Sequence, residues 1–191
     1  MSAILRHIVS MSPYMLLALP IYLIIRVMYL KKINRPHNWY REAALLVFVV
    51  FTVGLASQAI LPEIEVGKDG LRIVTEGTHT TNLIPFHVVV VTCEEVFVHG
   101  NLNALIINFL GNIVMFMPFG FFAPLLWNVS DRVAVLFGFT ASLTIEVSQL
   151  FLPRSTDVDD LILNTFGALL GLLVYKLAKR FTSKLVEKFQ K

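Results

Sequence analysis

Six side chains with the chemistry to make a site recur in pairs within otherwise apolar sequence: Asn108 and Asn112, Glu146 and Gln149, Asp160 and Asn164. Amides at this spacing offer neutral hydrogen bonds, and a carboxylic acid sunk in an apolar run can act as a general acid or base or hold a cationic group. A polar or ionised group at membrane depth costs several kcal/mol unless it meets a partner or a water-filled cavity, about 2.5 to 3.5 kcal/mol for Asp at a helix centre. Beside these pairs runs Leu152-Pro153-Arg154-Ser155-Thr156-Asp157-Val158-Asp159-Asp160. Arg154 there suits a phosphate or carboxylate, and the acids suit complementary charge.

The elements that must position these groups follow from composition. Of 191 residues, 56% are hydrophobic and 15% charged, more apolar than a soluble domain of this size needs. Runs of about 20 apolar residues, the length that crosses roughly 30 Å of hydrocarbon, cover 11–30, 42–61, 104–127, 133–152 and 161–178. The fold class is therefore an all-α integral membrane protein with about five transmembrane helices. A single membrane domain over 1–191 divides into two N-terminal spans (1–61), an outer excursion (62–103), a three-helix core (104–178) and a basic tail (179–191). The first span lacks a small-residue cleavage site and ends in Lys31-Lys32, so it is expected to be kept as a span.

Within the excursion, Ile64-Glu65-Val66, Gly67-Lys68-Asp69-Gly70 and Leu71-Arg72-Ile73-Val74 alternate and turn as a small β-hairpin. Residues 87–98 are too few to span and are expected to form a re-entrant or interfacial segment over the outer ends of the last three spans.

Lys and Arg near span ends stay cytoplasmic. Lys31, Lys32, Arg35, Arg41, Arg132 and the tail cations Lys176 to Lys191 fall on one side of a five-span chain, which puts the N-terminus outside and the C-terminus inside. The net charge of +3 is split among short loops and the tail, so it points to anionic lipid headgroups and not to nucleic acid. The tail, which mixes Lys184 and Lys188 with Leu185, Val186 and Phe189, is expected to lie on the inner leaflet.

The one cysteine, Cys93, rules out an intramolecular disulfide and is read as a packing residue. His79, His87 and His99 match no ligand spacing, so no metal site and no cofactor are expected. Gly167-x-x-x-Gly171 reads as a close-contact face, inside the bundle or between protomers. Ser155 or Thr156 is expected to cap the last span, with Asp157 to Asp160 at its dipole, while Arg154 can fold back toward Glu146.

At these residues the chain resembles the VanZ-like family of small bacterial membrane proteins. The pattern is Asn82-Leu83-Ile84-Pro85-Phe86, Asn108 to Asn112 with Gly111, Met117-Pro118-Phe119-Gly120, Pro124, Glu146-x-x-Gln149, and Arg154-x-x-Asp157-x-Asp159-Asp160-x-x-x-Asn164-x-x-Gly167-x-x-x-Gly171. The resemblance covers about half the chain, 82–171, and leaves out the first two spans and the hairpin. It implies a cell-envelope membrane protein associated with low-level resistance to teicoplanin and related lipoglycopeptides, without replacement of the D-Ala-D-Ala target.

Two chemistries stay open, beside a packing network in which Asn108, Asn112, Gln149 and Asn164 satisfy one another across the bundle and a less supported reading as a proton-coupled transporter using Glu146. In one, an outer-leaflet pocket of Asn82, Asn108, Asn112, Glu146, Gln149, Arg154, Asp157, Asp160 and Asn164 engages a lipid-linked cell-wall precursor or a lipoglycopeptide. In the other, the protein is an intramembrane hydrolase or transferase of a lipid phosphate or cell-wall lipid, with Glu146 as its catalytic acid or base. The oligomeric state is not legible from the sequence.

Overall fold

The computed structural model describes residues 3–33, 38–60, 63–67, 70–74, 81–152 and 154–190; the side chains of 3–10, 63–67, 70–74, 104, 107 and 108 lie outside that description. The described residues are helical apart from four short strands and their connections. It forms two compact units, one built on the N-terminal helices and the hairpin and one on the chain from Thr78 to Val186.

In the first unit α1 (Ala3–Ile33) and α2 (Trp39–Ala59) pack against each other. Their apolar length matches a bilayer, and the outward residues Leu16, Leu17, Ile24, Ile25 and Met28 of α1 are more than half exposed, as lipid-facing side chains should be. Asn38 caps α2 by accepting the Arg41 N–H at 3.2 Å. Between the helices Arg26 meets Glu42 in a two-pronged ion pair, Nε to Oε2 at 2.6 Å and Nη2 to Oε1 at 2.7 Å, with Arg26 also 5.1 Å from the Tyr29 ring centroid. The expected hairpin is present: β1 (Glu63–Gly67) and β2 (Gly70–Val74) pair antiparallel from Glu63 opposite Val74 to Gly67 opposite Gly70.

The second unit starts with β3 (Thr81–Asn82) and α3 (His87–Phe97), followed by α4 (Leu102–Ala104), a π-helical stretch (Leu105–Gly111), and α5 (Asn112–Trp127). Helices α6 (Asp131–Gln149) and α7 (Val158–Phe181) come next, with β4 (Thr156–Asp157) between them, and α8 (Ser183–Gln190) closes the chain. At 11 residues α3 is far too short to cross a bilayer, and Val90, Phe97 and Val98 on it and just after it are largely exposed, the surface of an interfacial segment. Cys93 on α3 is exposed, which corrects its reading as a packing residue: on so short a helix the buried face is narrow, and Thr92 occupies it.

Among the described residues four helical segments are long and apolar enough to cross a membrane by composition: Met11–Ile33, Trp39–Ala59, Phe109–Trp127 and Val158–Phe181. The fifth, α6, has 19 residues but a more polar sequence. Its outward hydroxyls are satisfied on their own helix, since Thr140, Thr144 and Ser148 donate to the carbonyls of Leu136, Thr140 and Thr144 at 2.7–2.8 Å. The chain is thus a multi-pass membrane protein of about five spans.

Helix α7 packs against both α5 and α6. It lies so close to α5 that a Cβ at Gly167 would overlap the Ile113 carbonyl, one at Gly171 the Met117 carbonyl, and one at Gly120 the Ala168 carbonyl. This backbone contact resolves the small-residue stripe as a contact within the bundle. Around it pack Phe116, Phe119, Ala123, Leu163, Ala168 and Leu172, with the Phe116 and Phe119 rings stacked at 5.2 Å.

Candidate functional site

The C-terminal end of α6 and the N-terminal end of α7 bring the polar residues together. A two-residue parallel bridge sets Thr81 beside Thr156 and Asn82 beside Asp157, so that chain from before α3 lies along the loop that precedes α7. Across it the Asn82 amide donates to both Asp157 carboxylate oxygens, at 3.2 and 3.0 Å. Asp157 also caps α7 by accepting the Asp159 N–H at 2.8 Å, and its own N–H donates to Glu146 Oε2 at 3.1 Å. Asp157 and not Ser155 or Thr156 is therefore the cap, because Thr156 is committed to the bridge and is buried.

Asp159 is 1% exposed, and its carboxylate takes the backbone N–H of Phe86 at 2.5 Å and of Val88 at 2.7 Å. Both belong to the start of α3, where N–H groups have no partner within the helix and the dipole favours an anion. Phe86 enters α3 with φ 66°, the left-handed region that disfavours a residue with a Cβ, and the carboxylate holds it there. Asp160, the next residue, faces α5 and accepts a hydrogen bond from the Asn112 amide. One turn further, the Asn164 amide donates to Ser142 Oγ at 2.9 Å, while Asn164 Oδ1 is buried with no hydrogen-bond partner among the described residues.

The structure thus links Asn82, Glu146 and Asp157 in one network, and sets the Asn112–Asp160 and Asn164–Ser142 pairs along the flanks of α7. Glu146 is 6% exposed, so its carboxylate has left water almost entirely and relies on the Asp157 N–H and its surroundings. Gln149 is the last residue of α6 and Arg154 sits in the following loop; both are half-buried. Asn108 falls in the π-helical stretch, and its side chain lies outside the described residues. Four carboxylates, Glu146, Asp157, Asp159 and Asp160, lie around a loop whose one cation is Arg154. No three His, Cys, Asp or Glu side chains among the described residues converge as metal ligands would.

Asp159 and Ser142 belong to this assembly although neither stood among the residues of the candidate pocket; in the sequence Ser142 shares a helix face with Glu146 and Gln149, at i, i+4 and i+7, and Asp159 is one of the acids at the α7 dipole. For Asp159 the signal was a third acid within the four residues Asp157-Val158-Asp159-Asp160, more than a helix cap alone requires.

The model of the VanZ/LLP1 family matches residues 43–179. No curated protein and no solved structure matches the chain. The matched stretch carries all but the first turn of α2, the Asn82–Asp157 bridge, the Glu146 network and the glycine contact of α5 with α7, well over half of the sequence, and on that extent the chain belongs to the VanZ/LLP1 family.

Proposed function

We propose that this protein is a VanZ-like component of the bacterial plasma membrane that lowers susceptibility to teicoplanin and related lipoglycopeptides, and that it does so through the polar assembly at the Glu146 end of α5 to α7. In this reading the N-terminus is outside and the C-terminus cytoplasmic, so the assembly faces the outer leaflet, where lipid-linked wall precursor and lipid-bearing antibiotic meet. The distribution of Lys and Arg supports that orientation. The observation that carries the reading is the convergence of Asn82, Glu146 and Asp157 from three separate stretches of chain beside one half-buried arginine. Arg154 would take a phosphate or carboxylate, the acids would take amine or hydroxyl donors, and the apolar faces of the helices would take the lipid tail.

The test is teicoplanin and vancomycin susceptibility of cells expressing wild type, Glu146→Gln and Arg154→Ala, with the membrane abundance of each protein measured. Gln at 146 keeps an oxygen for the Asp157 N–H and removes only the charge, so the fold should survive. The expected result is loss of most teicoplanin protection in both variants at equal abundance, with vancomycin susceptibility unchanged. Full protection by both variants would reduce the assembly to a packing device.

A further inference from the structure

At the opposite end of the second unit, α6 and α7 leave an open groove of about 630 Å³. Its walls are Val135, Leu136 and Phe139 from α6 and Leu169, Leu172 and Leu173 from α7, and its mouth carries Asp131, Arg132 and Lys176. Lys176 donates to the Asp131 carboxylate, whereas Arg132 is exposed and pairs with no carboxylate among the described residues. The mouth therefore keeps one uncompensated positive charge over an apolar floor. We propose that this groove holds one anionic phospholipid, with its phosphate at Arg132 and Lys176 and one acyl chain between α6 and α7.

Length and charge favour that occupant. From Lys176 at the mouth to Thr165 at the far end is eleven residues of α7, about 16 Å at 1.5 Å per residue, close to half of a hydrocarbon core of roughly 30 Å. An acyl chain anchored at the headgroup level ends at that depth. The deep end offers no spare hydroxyl proton, because Thr165 Oγ donates to the Leu161 carbonyl at 2.7 Å. A second copy of the chain fits less well: in a two-fold contact each groove mouth would face its own equivalent and set Arg132 against Arg132. The mouth of the groove lies at the other end of α6 from the Glu146 assembly, with Arg132 about 21 Å from Glu146 along the helix at 1.5 Å per residue, and its occupancy stands or falls independently of teicoplanin protection.

Native mass spectrometry of the purified protein tests it, with phosphatidylglycerol and phosphatidylcholine of identical acyl chains as probes and glycerophosphoglycerol as the chain-free control. One phosphatidylglycerol should be retained about fivefold over phosphatidylcholine, the factor expected of one Arg at an anionic surface. Arg132→Gln should erase that preference. Leu169→Trp, which fills the groove, should lower retention of both lipids, while Val133→Trp, exposed but not on the groove wall, should leave it unchanged. If Leu169→Trp does not fold, Leu136→Trp on the facing wall makes the same test. Equal retention of the two lipids by wild type, unaltered preference in Arg132→Gln, unaltered retention in the groove-filling variant, or binding of glycerophosphoglycerol as tight as of the intact lipid would each overturn the proposal.

Discussion

Replacing Gly171 by leucine is expected to drive α7 away from α5 and to destabilise the protein by on the order of 3 kcal/mol or more, at or above the upper range for overpacking a core. A Cβ at this position lands on the Met117 carbonyl, and one turn earlier the same would happen at Gly167 against Ile113. Backbone atoms of a helix cannot swing aside as the end of a flexible side chain can, so the whole helix must shift. Gly171→Ala already introduces the offending atom and should cost a substantial part of the same amount. Gly111→Ala is the control: its Cβ would meet only the Ile106 carbonyl oxygen of its own π-helical stretch, at 3.6 Å, an ordinary contact. Thermal or detergent denaturation of the purified variants measures the difference. A Gly171→Leu protein as stable as wild type would mean that the two backbones do not touch there.

The second large effect is expected at Asp159. Its removal in Asp159→Ala leaves the N–H groups of Phe86 and Val88 without their acceptor in a partly buried place, at about 1 to 3 kcal/mol each. A loss of about 2 to 6 kcal/mol should fall mainly on the seating of α3, with Asp159→Asn in between because it keeps one oxygen. Hydrogen exchange at Phe86 and Val88 should accelerate far more than exchange in the middle of α7. Adding Phe86→Gly should recover part of the loss, about 1 to 2 kcal/mol, because glycine has no penalty at φ 66°. Unchanged protection of these two amides in Asp159→Ala would remove Asp159 from its role as the anchor of α3.

The spans were legible because the bilayer fixes their length and character. The run 42–61 became Trp39–Ala59, and 161–178 became Val158–Phe181, each within three residues at either end. The hairpin was legible for an equally local reason, alternation broken by a Gly-x-x-Gly turn. The π-helical stretch was not, since one residue added to a helical turn leaves no mark on composition. Nor were the separate partners of Asp159 and Asp160. Adjacent residues on a helix point about 100° apart, so they meet different neighbours, and which ones depends on where α3 and α5 have already come to rest. The Asn82 contact with Asp157 was equally hidden: both residues were candidates, but a two-residue strand pair has no periodicity to read.

The parallel bridge of Asn82 with Asp157 also sets an order in time. The two residues are 75 apart, and at 5 to 20 residues per second of synthesis the second follows the first by about 4 to 15 seconds. Throughout that interval the left-handed turn at Phe86 and the start of α3 lack the Asp159 carboxylate that holds them. The N-terminal flank of the polar assembly must therefore wait at the membrane for α7 to arrive, and a ribosome stalled between α6 and α7 would leave α3 open to proteases and chaperones.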